Sequence, residues 1–139
     1  MSYYRNKGFT LIELMIVLAI VGIVAGFAFS SYKNSVQKSR RSDGMAALSN
    51  ATAMQEKWYF QFNQYSSDAN DVGGISSPEN YYTISVDQPC GNSSCYRMIA
   101  TAVGVQANDT NCLVFTVDNT RAKRSYSDSP GGTVTTDCW

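Results

Sequence analysis

Twenty-one residues, Phe9 to Phe29 (FTLIELMIVLAIVGIVAGFAF), contain one ionisable side chain, Glu13. At about 1.5 Å of rise per residue they make a helix of roughly 32 Å, the thickness of a bilayer's hydrocarbon core. A segment of this kind spans a membrane or sits in an assembly that imitates one. A carboxylate at that depth costs on the order of 2.5 to 3.5 kcal/mol, so it implies a partner or a purpose. A cleaved secretory signal fits poorly, because the run is too long and no small-residue cleavage site follows at Phe27 to Ser31.

The run follows a short basic leader, MSYYRNKG. The junction KGFTLIEL, from Lys7 to Leu14, resembles the processing site of type IV prepilins: a basic residue, a glycine, an aromatic, a glutamate four residues on and an unbroken apolar run. The resemblance implies that a prepilin peptidase cuts after Gly8 and methylates Phe9 as the new N-terminus. It also implies that Glu13 pairs with the terminal amine of a neighbouring pilin subunit. Physical chemistry agrees, since after cleavage an ammonium and the Glu13 carboxylate lie four positions apart on one helical face. Each neutralises the other, within a chain or between chains.

These boundaries divide the chain into a leader (1–8), a transmembrane and assembly helix (9–31) and one globular domain (32–139). About 110 residues beyond the span suffice for a single core and leave no room for a second. Lysine plus arginine and aspartate plus glutamate balance at eleven each. Arg5 and Lys7 depart with the leader, so bulk charge gives no general case for nucleic-acid binding. Histidine is absent. That removes the commonest general base and metal ligand, and with them any Ser-His or Cys-His nucleophile pair. The chain reads as a non-enzyme without cofactor or metal.

Four cysteines, Cys90, Cys95, Cys112 and Cys138, lie downstream of the span and read as two disulfides in an exported domain. A zinc site is the rival, but no Cys-x-x-Cys pair is present. Of the three pairings, Cys90 with Cys95 and Cys112 with Cys138 is favoured: the first closes the turn CGNSSC, the second a long C-terminal loop. Basic residues on both sides of the span (Arg5 and Lys7; Lys33, Lys38, Arg40 and Arg41) slightly favour a cytoplasmic C-terminus by charge counting. The cysteines and the prepilin resemblance overrule that count and place the globular part outside the cytoplasm. The chain is therefore expected as a single-pass inner-membrane protein with a periplasmic C-terminus, and then in a surface pilus.

Beyond the span, Val36, Met45, Leu48, Ala51, Met54, Trp58, Tyr59 and Phe62 recur at three- and four-residue intervals, which predicts an amphipathic continuation of the helix to Phe62. The basic run Lys38 to Arg41 reads as a solvated stretch near lipid headgroups. Pilins usually carry a proline where Ser30 stands here, so the bend a proline imposes is not expected. Asn63 to Asn80 reads as a long loop with little regular structure. Strands are predicted at Tyr81–Val86, Tyr96–Val103, Leu113–Val117 and Arg121–Tyr126, with a coil tail. The whole is an α+β type IV pilin fold: a long helix, half transmembrane and half amphipathic, packed on a four-stranded antiparallel sheet with a C-terminal disulfide loop.

The EKWY and NCLVFTVDN segments and the Asp137-Cys138-Trp139 ending are most similar to minor pilins of the PilE type. That resemblance implies a structural subunit that helps initiate or joins a type IV pilus serving twitching motility, adhesion and DNA uptake. Its implied partners are other pilin subunits through the N-terminal helix, the prepilin peptidase, the pilus assembly machinery and the inner membrane. A second reading is a DNA-binding pilin in which Arg97, Arg121, Lys123 and Arg124, with Tyr126, form a small basic aromatic patch. Such a basic strand also discourages edge-to-edge aggregation. A third is a type II secretion pseudopilin.

Overall fold

The computed structural model describes residues 8–139. The leader residues 1–7, with Arg5 and Lys7, lie outside the described residues. The chain divides into two compact units, Met1–Val36 and Gln37–Trp139, and the helix α1 (Leu11–Phe62) contributes to both. The division falls a little beyond Ser31, where the membrane segment was expected to end.

Within the first unit, α1 is long and apolar enough to cross a membrane, and its most apolar window is wholly unburied. Phe9, Leu18 and Phe27 are 80 %, 69 % and 78 % exposed. Such side chains shed water only against lipid or another chain.

In the second unit, five strands, β1 (Tyr82–Asp87), β2 (Arg97–Ala102), β3 (Val114–Asp118), β4 (Lys123–Tyr126) and β5 (Val134–Thr135), form one antiparallel sheet in chain order. Alternation along the strands sends one set of residues to one face. Ile84, Ala100 and Phe115 stand side by side across three strands, as do Val86, Met98 and Val117. Leu48 and Ala51 of α1 pack on this layer together with Val72 and Tyr82.

The helix stripe differs from its expected form. Leu48 and Ala51 are buried, but Met54, Tyr59 and Phe62 are exposed, and Gln55 occupies the core position one turn past Ala51. Gln55 is tolerated there because its amide is satisfied on both sides: Nε2 donates to Ser66 O at 2.8 Å, and Oε1 accepts from Ser66 N–H at 3.0 Å.

The loop from 63 to 80 is more ordered than expected. A short 3-10 turn, Ala69–Val72, is capped by Asp68 and buries Val72. Beyond it the chain runs along the outer edge of β1. Ile84 N–H donates to Ile75 O at 2.8 Å and Ser77 N–H to Tyr82 O at 2.9 Å. A second 3-10 turn, Gly104–Asn108, lies between β2 and β3.

The tail is not coil throughout, and the sheet has five strands where four were expected. Residues 127–133 turn the chain so that Thr135 pairs with Ser125 and Val134 with Tyr126. Asp128 Oδ1 accepts from the N–H groups of Ser129 (2.7 Å) and Thr133 (3.1 Å), and this Asx geometry closes the turn.

Candidate functional site

At the head of α1, Thr10 and Glu13 form a reciprocal capping pair. Glu13 N–H donates to Thr10 Oγ1 at 3.3 Å and Thr10 N–H to Glu13 Oε2 at 3.5 Å. The Thr-x-x-Glu spacing thus satisfies orphan donors at the helix start and sets the carboxylate near the positive end of the helix dipole. Gly8 and Phe9, the expected processing pair, are both exposed. A Cβ at Gly22 or Gly26 would meet nothing within 4 Å. The small residues therefore leave room on a face that the chain itself does not fill.

The cysteines form two disulfides, Cys90–Cys95 and Cys112–Cys138. The first braces the β1–β2 connection, whose Ser93 O accepts from Tyr65 N–H at 2.9 Å. The second ties the C-terminal segment to Cys112, two residues before β3. Among the described residues no group of three or more His, Cys, Asp or Glu is arranged to hold a metal ion.

The four cations named for DNA contact do not converge. Arg97 and Arg124 share the face away from the helix, and each is engaged: Arg97 with Asp87 across the strands, Arg124 Nη1 with Asp118 Oδ2 at 3.2 Å. Burial pushes the Asp118 carboxyl up, but hydrogen bonds from Thr120, from the Ala122 and Thr120 N–H groups and from Arg124 outweigh it, leaving the pKa below the usual range. Lys123 points to the opposite face, where its ammonium lies 4.9 Å from the centre of the Trp139 ring. Arg121 sits in the β3–β4 turn at φ 64°. Arg121 and Lys123 make no ion pair among the described residues. A strand's period of two accounts for the split, since neighbours such as Lys123 and Arg124 face opposite ways.

The basic run after the span also departs from expectation, because Arg40 and Arg41 are not simply solvated. Arg40 lies over the Tyr81 ring at 4.8 Å. Arg41 grips Asp109 with two bonds, Nε to Oδ2 at 2.6 Å and Nη2 to Oδ1 at 2.9 Å, with both side chains largely buried. Gln106 Nε2 lies within hydrogen-bonding range of Asp109 Oδ2 (3.1 Å), Tyr82 Oη (3.2 Å) and Gln37 O (3.3 Å). The bond to Asp109 raises the Arg41 pKa while burial opposes it. Burial, chiefly, pushes the Tyr82 phenol up to about 12. A second buried acid, Asp43, accepts Ser77 Oγ at 2.5 Å and the N–H groups of Glu79 (3.1 Å) and Tyr81 (3.4 Å). These contacts pin the approach to β1 onto the helix.

Comparison with known proteins fits this architecture. The description "Prokaryotic N-terminal methylation motif" matches residues 3–29, and "Type IV minor pilin ComP, DNA uptake sequence receptor" matches residues 30–116, more than half of the chain. The chain belongs to the type IV pilin family. It is 33 % identical over 109 residues to the type IV major pilin protein PilA of Myxococcus xanthus, covering 78 % of this chain and 49 % of that one. It is 36 % identical over 75 residues to the fimbrial protein EcpC of Eikenella corrodens, covering 54 % and 48 %. The chain thus spans about half the length of these relatives. A type IV pilin structure from Shewanella oneidensis shares the fold, with TM-score 0.53 and 20 % identity over 74 % of this chain and 97 % of that one.

Proposed function

We propose that this chain is a structural subunit of a type IV pilus, held in the inner membrane with its C-terminus in the periplasm and then drawn into the fibre. The carrying observation is the wholly unburied apolar stretch of α1 with its single acid, Glu13. Its area demands lipid or the helices of other subunits, and its carboxylate demands a cation. Cleavage after Gly8 by a prepilin peptidase, with methylation of Phe9, supplies that cation as a terminal ammonium. The experiment is Glu13→Ala with the subunit quantified in sheared surface fibres, together with mass spectrometry of its N-terminus. A marked fall in incorporation and an N-methylated Phe9 are expected. Undiminished incorporation, or a leader still attached in fibres, overturns the reading.

A second reading is favoured by one observation, the match of residues 30–116 to a minor pilin that is a DNA uptake sequence receptor. On it, the subunit is a minor pilin that also captures DNA through Arg121 and Lys123, the two of the four cations that make no ion pair among the described residues. Few phosphate contacts give weak, salt-sensitive binding. Gel shifts with the purified chain test this, and Arg121→Glu with Lys123→Glu is expected to abolish a salt-dependent shift. No shift at low salt removes it.

A further inference from the structure

An open surface hollow of about 490 Å³ beside the Cys112–Cys138 disulfide is lined by Lys38, Arg41, Asn111 and Thr136, with Asp137 also on its wall. Lys38 and Arg41 stand three residues apart on α1 and therefore on one side of it. Arg41 is held in place by its two bonds to Asp109, which use Nε and Nη2 and leave Nη1 without a bond among the described residues. Lys38 is exposed and makes no ion pair among them. The bridge between Cys112 and Cys138 fixes Asn111 and Asp137, its immediate neighbours, to opposite sides of one rigid link.

We infer that this cleft binds a phosphate group, with an anionic phospholipid headgroup as its source. A pre-set guanidinium, a mobile ammonium, an amide and a hydroxyl form a donor set suited to a tetrahedral oxyanion. Asp109 already offsets the charge of Arg41, and Asp137 stands against Lys38. The preference for phosphate therefore rests on directed donors, the unbonded Nη1 of Arg41 and the Lys38 ammonium, and not on net charge, and Asp137 moderates its strength. In sequence Lys38 follows the apolar stretch that ends at Phe29 by only nine residues, a juxtamembrane position that suits a group reading the surface of the bilayer. The lipid source rests on membrane anchoring before assembly; the phosphate chemistry does not.

The test is an NMR titration of the full chain in uncharged maltoside micelles, following the backbone amides of Asn111, Cys112 and Thr136. Dihexanoyl phosphatidylglycerol is the probe, with inorganic phosphate, dihexanoyl phosphatidylcholine and a short DNA duplex as parallel arms. Saturable shifts with phosphatidylglycerol are expected, weakened about three- to fivefold by Lys38→Gln and strengthened about threefold by Asp137→Asn, the scale of one surface charge. Inorganic phosphate binding as tightly as phosphatidylglycerol supports the phosphate site but overturns the lipid source. Phosphatidylcholine matching phosphatidylglycerol, or DNA exceeding it, overturns the lipid assignment. Absence of saturable shifts up to about 10 mM overturns the site altogether. Entry into fibres is not part of the readout, so failure of the pilus reading is seen separately.

Discussion

The ring of Tyr82 occupies the space that a side chain on Gly44 would fill: a Cβ there would stand 2.8 Å from Cδ2 and 2.9 Å from Cγ. Glycine in a helix interior costs roughly 1 kcal/mol relative to alanine, yet here it lets the helix backbone rest directly on a buried aromatic ring. Gly44→Ala is expected to destabilise the folded unit by about 1 to 3 kcal/mol despite the better helix former, because the overlap falls on ring atoms with nowhere to retreat. Urea melts of the detergent-solubilised chain measure it. A gain in stability would show that Tyr82 moves aside freely.

Asp109→Asn leaves the Arg41 guanidinium without its counter-charge in a site where its side chain is only 12 % exposed. Breaking one partner of a buried pair costs about 3 to 5 kcal/mol, and replacing both recovers much of it. The single variant is expected to lose about 3 to 5 kcal/mol of stability, read from denaturant melts. Arg41→Met combined with Asp109→Leu is expected to be milder than the single change. Equal losses for the single and double variants count against the pair as the source.

Stability is expected to fall in alkali. Burial pushes the Tyr82 phenol of the folded chain up to about 12, from an ordinary value of 10.0. A folded pKa raised above the unfolded one gives stability that is fully present below pH 10 and is lost as pH climbs through 12. Burial and then the nearby Glu56 push the Tyr96 phenol upward too, so the loss continues beyond that window. Tyr82→Phe is expected to make the profile markedly less steep between pH 10 and 12, with Tyr96 supplying the slope that remains, followed by circular dichroism. An unchanged slope in that variant would assign the alkaline transition elsewhere.

The two disulfides are expected to differ in weight. Chain-entropy estimates give about 2 kcal/mol for the short loop closed by Cys90–Cys95 and about 3.6 kcal/mol for the long one closed by Cys112–Cys138. Paired Cys-to-Ser variants, compared by denaturant midpoint, are expected to rank in that order. Reversal of the order would point to local strain or bracing, rather than loop length, as the dominant effect.

The long helix was legible because its signals are local: an unbroken apolar run, a charged residue at its head and a three-to-four repeat beyond. β1, β2 and β3 were found to within a residue at either end, since apolar alternation marks Ile84, Met98 and Phe115 as one layer. β5 was not found. Its pairing spans only Val134 and Thr135, too short for alternation to register, and depends on the Asp128 turn. Gln55 escaped notice because a polar residue at a core position is revealed only by its bonds to Ser66. The grip of Arg41 on Asp109, 68 residues away, leaves no trace in local spacing. The residues proposed for processing and assembly belong to the motif at the chain's head, which reads directly. The cation patch failed to assemble because its members were gathered by proximity in sequence, without regard to which side of a strand each one faces.

The strip Ile75–Ser77, lying against β1, closes one border of the sheet to other chains. Exposed strand borders invite copies to share backbone bonds, a route to irreversible stacking. Here the chain has hemmed that border with its own thread. Two copies that met at this border would touch through side chains and could not share backbone bonds there.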